Sequence, residues 1–143
     1  MSYVIQSTEK NRGFGSENET KALLYLMNFR TNSHEISYYI IDFFNDLTGS
    51  CNQMSKLWDI QSKASKDTNA KALGREMVTL FKNYMSNFNF QHYILFVGGV
   101  ADSVRVNTML NEFDITNVKP TAYKSIKTGL IDEALKKHIS NLK

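Results

Sequence analysis

At 143 residues the chain has the length of one domain, spanning 1–143, and enough mass to bury a core without a disulfide or a structural metal. A 42% hydrophobic and 22% charged composition with one proline excludes a disordered tail, and the lone Cys51 excludes an internal disulfide and a zinc-binding cysteine pair. The net charge of +3 admits a polyanionic partner without requiring one. No signal-peptide pattern opens the chain, and no apolar run nears the ~20 residues that span a bilayer. A cytoplasmic protein with no membrane partner is therefore expected.

In chain order, Asn11-Arg12-Gly13-Phe14-Gly15 permits a sharp turn into a first helix beginning at Ser16. Ser16 and Glu19 have the spacing of a capping box, and Ala22, Leu23, Leu26, Met27 and Phe29 make the helix apolar over most of its circumference. A β-branched and aromatic run from Ile36 to Phe44 predicts a strand buried on both sides, with Asp46 at its end and a polar turn from Thr48 to Ser55. The next strand runs from Lys56 to Ala64. With a period of two it sets Asp59, Gln61 and Lys63 on one face and Trp58, Ile60 and Ser62 on the other.

Asp67, Thr68 or Asn69 then caps a helix whose stripe of Leu73, Met77, Leu80, Phe81, Tyr84, Met85 and Phe88 predicts a core face. Tyr93 to Val97 is a buried strand ending at Gly98-Gly99, a tight turn, followed by a short helix from Asp102 or Ser103 to about Leu110. After Pro120 a closing helix sets Ile131, Ala134, Leu135, Ile139 and Leu142 on one face and lysines on the other. This order predicts an α/β fold, a mixed central sheet flanked by helices.

Asp46 and Gln61, with 14 residues between them, together with Lys63 would meet if their two strands pair. Such a group suits phosphodiester hydrolysis, which needs a divalent cation to neutralise phosphate charge and to acidify a water. A hard cation takes oxygen ligands, which Asp46, the Gln61 amide, the backbone carbonyl of Ile60, and Glu17 or Glu19 from the first helix would supply. Each has a plainer reading. Asp46 can start a turn, Lys63 can be a solvated edge lysine, Glu19 can cap its helix, and Glu17 can sit at the positive end of the helix dipole. Lys66, Lys71 and Arg75 lie just past the motif, where they would hold phosphates without reading sequence. His34, His92 and His138 lack any metal-ligand spacing.

Asp46 followed by Gln61-Ser62-Lys63 resembles the D-(x)n-(D/E/Q)-x-K signature of the PD-(D/E)XK, or restriction-endonuclease-like, nucleases. Gln61 stands where Asp or Glu is commoner, a variation that supplies a neutral ligand. Arg12-Gly13-Phe14-Gly15-Ser16-Glu17 before the first helix, and Leu80-Phe81-Lys82 after the motif, are similar to the nuclease domains of bacterial anti-phage effectors activated by cyclic oligonucleotides. The resemblance covers about residues 12 to 100. It implies a restriction-endonuclease-like fold, a Mg²⁺ (or Mn²⁺) cofactor, endonuclease action on double-stranded DNA, and a homo-oligomer or a missing sensor domain as regulator. The alternative is a non-catalytic nucleic-acid-binding or assembly module on the same fold.

Overall fold

The computed structural model describes residues 13–141, with side chains placed for 17–137. Its elements in chain order are α1 (Gly13–Leu24), β1 (Tyr38–Ile41), β2 (Leu47–Ser50), β3 (Leu57–Lys63), α2 (Ala70–Glu76), α3 (Val78–Tyr84), β4 (Phe90–Val97) and α4 (Pro120–Asn141). A π turn, Tyr25–Phe29, extends α1, and short 3-10 turns precede β1 and α4. The chain is α/β: β1, β2 and β3 form an antiparallel meander, and β4 returns parallel to β3 after the α2–α3 crossover, giving a four-stranded mixed sheet in the order β1-β2-β3-β4.

Alternation along the parallel pair, β3 and the edge strand β4, builds both layers. Trp58 and Ile60 of β3, with Ile94 and Phe96 of β4, face Ala22 and Leu26 of the first helix; Leu95 and Val97 face Leu73, Val104, Ala122 and Ile126 on the opposite side. The oil is thus divided into two clusters, one on each face of the sheet. On the second face α2 and α4 cross at glycines: a Cβ on Gly74 would lie 2.0 Å from the Ile126 carbonyl oxygen, and one on Gly129 would lie 2.1 Å from that of Lys71. Only a residue without a side chain lets the two backbones approach so closely.

Several expected elements shift. Gly13 already has helical backbone, so α1 begins before Ser16 rather than at it. The strand expected through Phe44 stops at Ile41, because Asp42 turns the chain with φ 54, a left-handed conformation aspartate tolerates. Nor is that strand buried on both sides, since β1 is outermost among the described strands and Tyr38 and Ile41 are exposed. The expected polar turn from Thr48 is a buried strand, β2. Asn69 does cap α2, its Oδ1 accepting from the Ala72 N–H at 3.0 Å, but the helix breaks at Met77.

The stripe read as core is only partly so. Leu73 and Leu80 are buried, whereas Phe81, Tyr84, Met85 and Phe88 are exposed. No helix forms from Asp102 to Leu110; the segment is held by turns and by a bridge between Arg105 and Val118. In α4 the buried side carries Ala122 and Gly129, while Ile131 and Leu135 are exposed. The segment through Arg12 and the side chains of Ser16, His138, Ile139 and Leu142 lie outside the described residues. Among the described residues no helix is long and apolar enough to cross a membrane.

Candidate metal-dependent hydrolase site

Asp46 reaches Gln61 and Lys63 by a route the sequence did not suggest. It stands immediately before β2, and the β2–β3 register sets Leu47 opposite Ile60 and Thr48 opposite Asp59. The Asp46 Oδ2 then accepts the Ser62 backbone N–H at 2.6 Å, a short charge-assisted bond. Its carboxylate is therefore fixed at the Gln61–Ser62 peptide. The Gly98-Gly99 turn braces that strand end from the far edge. Gly98 donates its N–H to the Lys63 carbonyl at 2.9 Å, and a Cβ on Gly99 would lie 2.0 Å from the Lys66 carbonyl, so the glycines serve close approach.

The face of β3 carrying Asp59, Gln61 and Lys63 meets a polar stripe on the α2–α3 helices at Glu76, Thr79 and Asn83. Asn83 Nδ2 donates to Asp59 Oδ2 at 2.9 Å, the Thr79 hydroxyl donates to Gln61 Oε1 at 3.0 Å, and Lys63 Nζ lies 3.1 Å from Glu76 Oε1. The pairs match because two strand residues advance about 6.6 Å and three or four helix residues about 5 Å. Three polar side chains per element are thus paired one to one inside a layer that would otherwise be oil.

Asp59 is the deepest of these groups, with no solvent exposure. Its Oδ1 accepts from Asn45 Nδ2 at 2.9 Å, next to Asp46 in the chain, so the carboxylate bridges the β1–β2 turn and α3. Burial pushes its carboxyl above the usual carboxylate range; the Asn83 and Asn45 amides oppose this rise, and the nearby Asp46 charge adds to it. Thr48, its cross-strand neighbour, is fully buried with an Oγ1 that has no hydrogen-bond partner.

The remaining predicted ligands do not gather here. Glu17 is exposed and bonded to Lys21 at 2.6 Å, and the Lys21 hydrogen bond holds its carboxyl below the usual range, with a smaller pull from Lys66. The influence of Lys66 sets the start of α1 near the loop after β3, but the helix packs on the sheet face opposite Gln61. Glu19 is half-buried in the same helix. Ile60 is fully buried between Leu47 and Ile94 in the middle of the sheet. Of the expected phosphate contacts, Lys66 is exposed, whereas Lys71 is paired with Asp132 of α4 at 2.8 Å and Arg75 also lowers the Asp132 carboxyl.

A second polar network lies on the opposite sheet face. His92 stacks on Trp58 with 5.4 Å between centroids and is bracketed by Arg30 at 3.3 Å and Asn32 at 2.9 Å. Arg30 also pairs with Glu112, which accepts from Tyr25. Burial and the Arg30 charge lower the His92 pKa, so its imidazole stays neutral at pH 7. This network fastens the π turn to β4 and the 99–117 segment.

Glu76, Thr79 and Asn83 were not picked out in the sequence. Their signal was a polar i, i+3, i+7 pattern on a helix whose larger apolar residues drew the eye to another face. Among the described residues no three His, Cys, Asp or Glu side chains are grouped to hold a metal. The donors near the motif, a carboxylate and an amide oxygen, fit Mg²⁺ rather than zinc or calcium, since Mg²⁺ keeps several waters and binds through one or two carboxylates. Comparison of the chain with protein-family models, curated proteins and solved structures finds no match.

Proposed function

We propose that this chain is a Mg²⁺- or Mn²⁺-dependent phosphodiester hydrolase acting on double-stranded DNA, with a restriction-endonuclease-like fold. The observation that carries the reading is the 2.6 Å bond from the Ser62 N–H to Asp46, which fixes a carboxylate beside Gln61 and Lys63. The helix ahead of the meander and the acid at the start of the strand paired with Gln-x-Lys support the finer fold assignment.

In this reading Asp46 and the Gln61 amide oxygen would hold the cation. A bound Mg²⁺ or Mn²⁺ neutralises phosphate charge and lowers the pKa of a water, which is what hydrolysis of a phosphodiester needs. Thr79 fixes the Gln61 amide by donating to its oxygen, so the side chain is pre-set before substrate arrives. Lys63, half in solvent and giving one N–H to Glu76, presents its other two to the phosphate oxygens, where negative charge grows as the nucleophile attacks. The Asn45–Asp59–Asn83 bridge holds the turn that delivers Asp46.

The test is cleavage of supercoiled plasmid with and without Mg²⁺ or Mn²⁺ by the whole chain, Asp46→Asn and Lys63→Ala. Cation-dependent nicking that falls by about a hundredfold or more in both variants is expected, the usual scale for a positioned catalytic group. Cleavage that survives both changes refutes the assignment. Salt-sensitive DNA binding without cleavage in either cation would favour the non-catalytic module.

A further inference from the structure

We propose that a row of aromatic side chains beside α3 is the surface through which two copies of this chain associate about a two-fold axis. The row starts at the β1–β2 turn. Asp42, with φ 54, bends the chain so that Phe44 tucks against Phe88 and Phe90, with ring centroids 4.6 and 4.9 Å apart, while Phe43 packs edge-on against Phe44 from outside. From the buried Phe90 the row continues through Tyr93 to Tyr84 and Phe81, each ring within 6.3 Å of the next.

Its outer members stand in water. Phe43 is 66% exposed, Phe88 57%, Tyr84 63% and Phe81 47%, and Met85, one helical turn from Phe81, is 67% exposed. At about 150–250 Å² for a whole aromatic side chain, these rings leave about 100 Å² uncovered apiece, and with Met85 the patch approaches about 600 Å². Contiguous apolar patches beyond about 300–600 Å² are rare on monomers and mark interaction sites. Aromatic residues and methionine are also the types enriched at the centre of protein interfaces. Phe44 and Phe90 support the outer rings from beneath, so docking costs them little further freedom.

Charge and area select a second copy as the occupant. The exposed charges adjoining the patch in the chain are Asp42, next to Phe43, and Lys82, next to Phe81, one of each sign. Neither takes part in the ion pairs found among the described residues. Such a surface is self-complementary, because a two-fold axis can set Asp42 against the partner's Lys82 and Lys82 against the partner's Asp42. A nucleic-acid backbone, which is held by several cations together, would find one here. A specific dimer covers about 800 Å² on each partner; the apolar patch supplies most of that, and the exposed amides of Asn87 and Asn89 supply a polar rim.

The experiment is sedimentation equilibrium of the full chain over about 1–100 µM, so it reads mass and is independent of the hydrolase reading. The variants are Phe43→Ser and Met85→Ser within the patch, Asp42→Asn and Lys82→Asp beside it, and the double variant Asp42→Asn/Lys82→Asp. Asparagine at 42 keeps a residue type that tolerates positive φ. Wild type is expected to dimerise, and each serine variant to weaken the dimer about tenfold or more. Asp42→Asn is expected to weaken the wild-type dimer but to strengthen that of Lys82→Asp, where it removes a clash with the partner's Asp42. All four positions are exposed, so thermal melts of the variants are expected to match wild type. Amide protection around Phe43 and Met85 that grows with concentration reads the same interface in the wild type alone. A wild type that stays monomeric at about 100 µM overturns the proposal, whatever other protein covers the patch. A dimer that keeps its affinity in both serine variants has its interface elsewhere and overturns it equally. If Asp42→Asn acts the same way with and without Lys82→Asp, the two residues do not meet across the axis and the two-fold arrangement is wrong.

Discussion

Removing Asn83 from beneath Asp59 tests the polar layer most sharply. Asp59 is fully buried and its two oxygens accept one amide each, from Asn45 and Asn83, both at 2.9 Å. A hydrogen bond to a charged group contributes about 1.5–3 kcal/mol, so Asn83→Ala should destabilise the chain by about 2–3 kcal/mol near neutral pH. At roughly 3 °C per kcal/mol for a domain of this size, that lowers Tm by about 6–9 °C.

The sign of the pH dependence follows from the direction of the Asp59 shift. Burial raises its carboxyl in the folded state above the ordinary 3.8, and Asn83 works against the rise. Between the ordinary and the raised value the folded state binds more protons than the unfolded state, so stability declines as pH climbs through that window. Without Asn83 the folded value rises further and the decline continues longer. The deficit of Asn83→Ala relative to wild type should therefore be smallest on the acid side of the ordinary carboxylate range and grow as pH rises through the raised value. Thermal melts of both proteins across that range measure it, with Asp59→Asn as the background in which the pH-dependent part disappears. An equal deficit at both ends, or one below about 0.5 kcal/mol at neutral pH, would refute a charged Asp59 held by Asn83.

Two further outcomes test the frame around the site. Gly74→Ala should raise helix propensity by about 1 kcal/mol, but the new Cβ would meet the Ile126 carbonyl at 2.0 Å, and overpacking against a fixed backbone costs about 3 kcal/mol. A lower Tm is expected, and a higher one would contradict the α2–α4 crossing. In the β2–β3 hairpin the Cys51 thiol is lowered to about 7, first by the Ser55 hydroxyl and also by the Lys56 N–H. Its alkylation rate should rise with a midpoint near that value, and Ser55→Ala should move the midpoint upward; an unchanged midpoint would remove Ser55 as the cause.

β3 was legible because Trp58 and Ile60 alternate with Asp59 and Gln61 in a period of two, and β4 because its unbroken apolar run from Tyr93 to Val97 is packed on both faces. β2 was not, because Leu47-Thr48-Gly49-Ser50 reads as a turn. Its small residues answer to space. A Cβ on Gly49 would press on Leu26 and Ile36 at 3.1–3.3 Å, and Thr48 and Ser50 face the polar layer. The strand after Ile36 was overrun because Phe43 and Phe44 favour β-structure locally, while the chain must turn at Asp42 to bring Asp46 back to β3. Phe44 instead packs edge-on against Phe88 and Phe90.

The helices misled for a related reason: a wheel weighs large apolar residues, whereas α2 and α4 meet through Gly74 and Gly129, and α3 turns Asn83 and Thr79 inward. At the candidate site, the neighbourhood of Asp46 and the Gln61-Ser62-Lys63 strand was legible from spacing, but Asp46 enters it from the start of β2 and not from the end of the strand after Ile36. Their partners on α2 and α3 were not, since pairing across a layer depends on helix rotation that no local pattern encodes.

The central claim is that the end of β3, faced by Asp46, holds a divalent ion, and a crystal soaked in Mn²⁺ and measured at the manganese absorption edge tests it directly. An anomalous peak about 2.0–2.3 Å from an Asp46 oxygen and the Gln61 Oε1, and lost in Asp46→Asn, is the predicted result. A map with no peak between Asp46 and Lys63 at saturating Mn²⁺, or a peak bound only elsewhere on the chain, would contradict it.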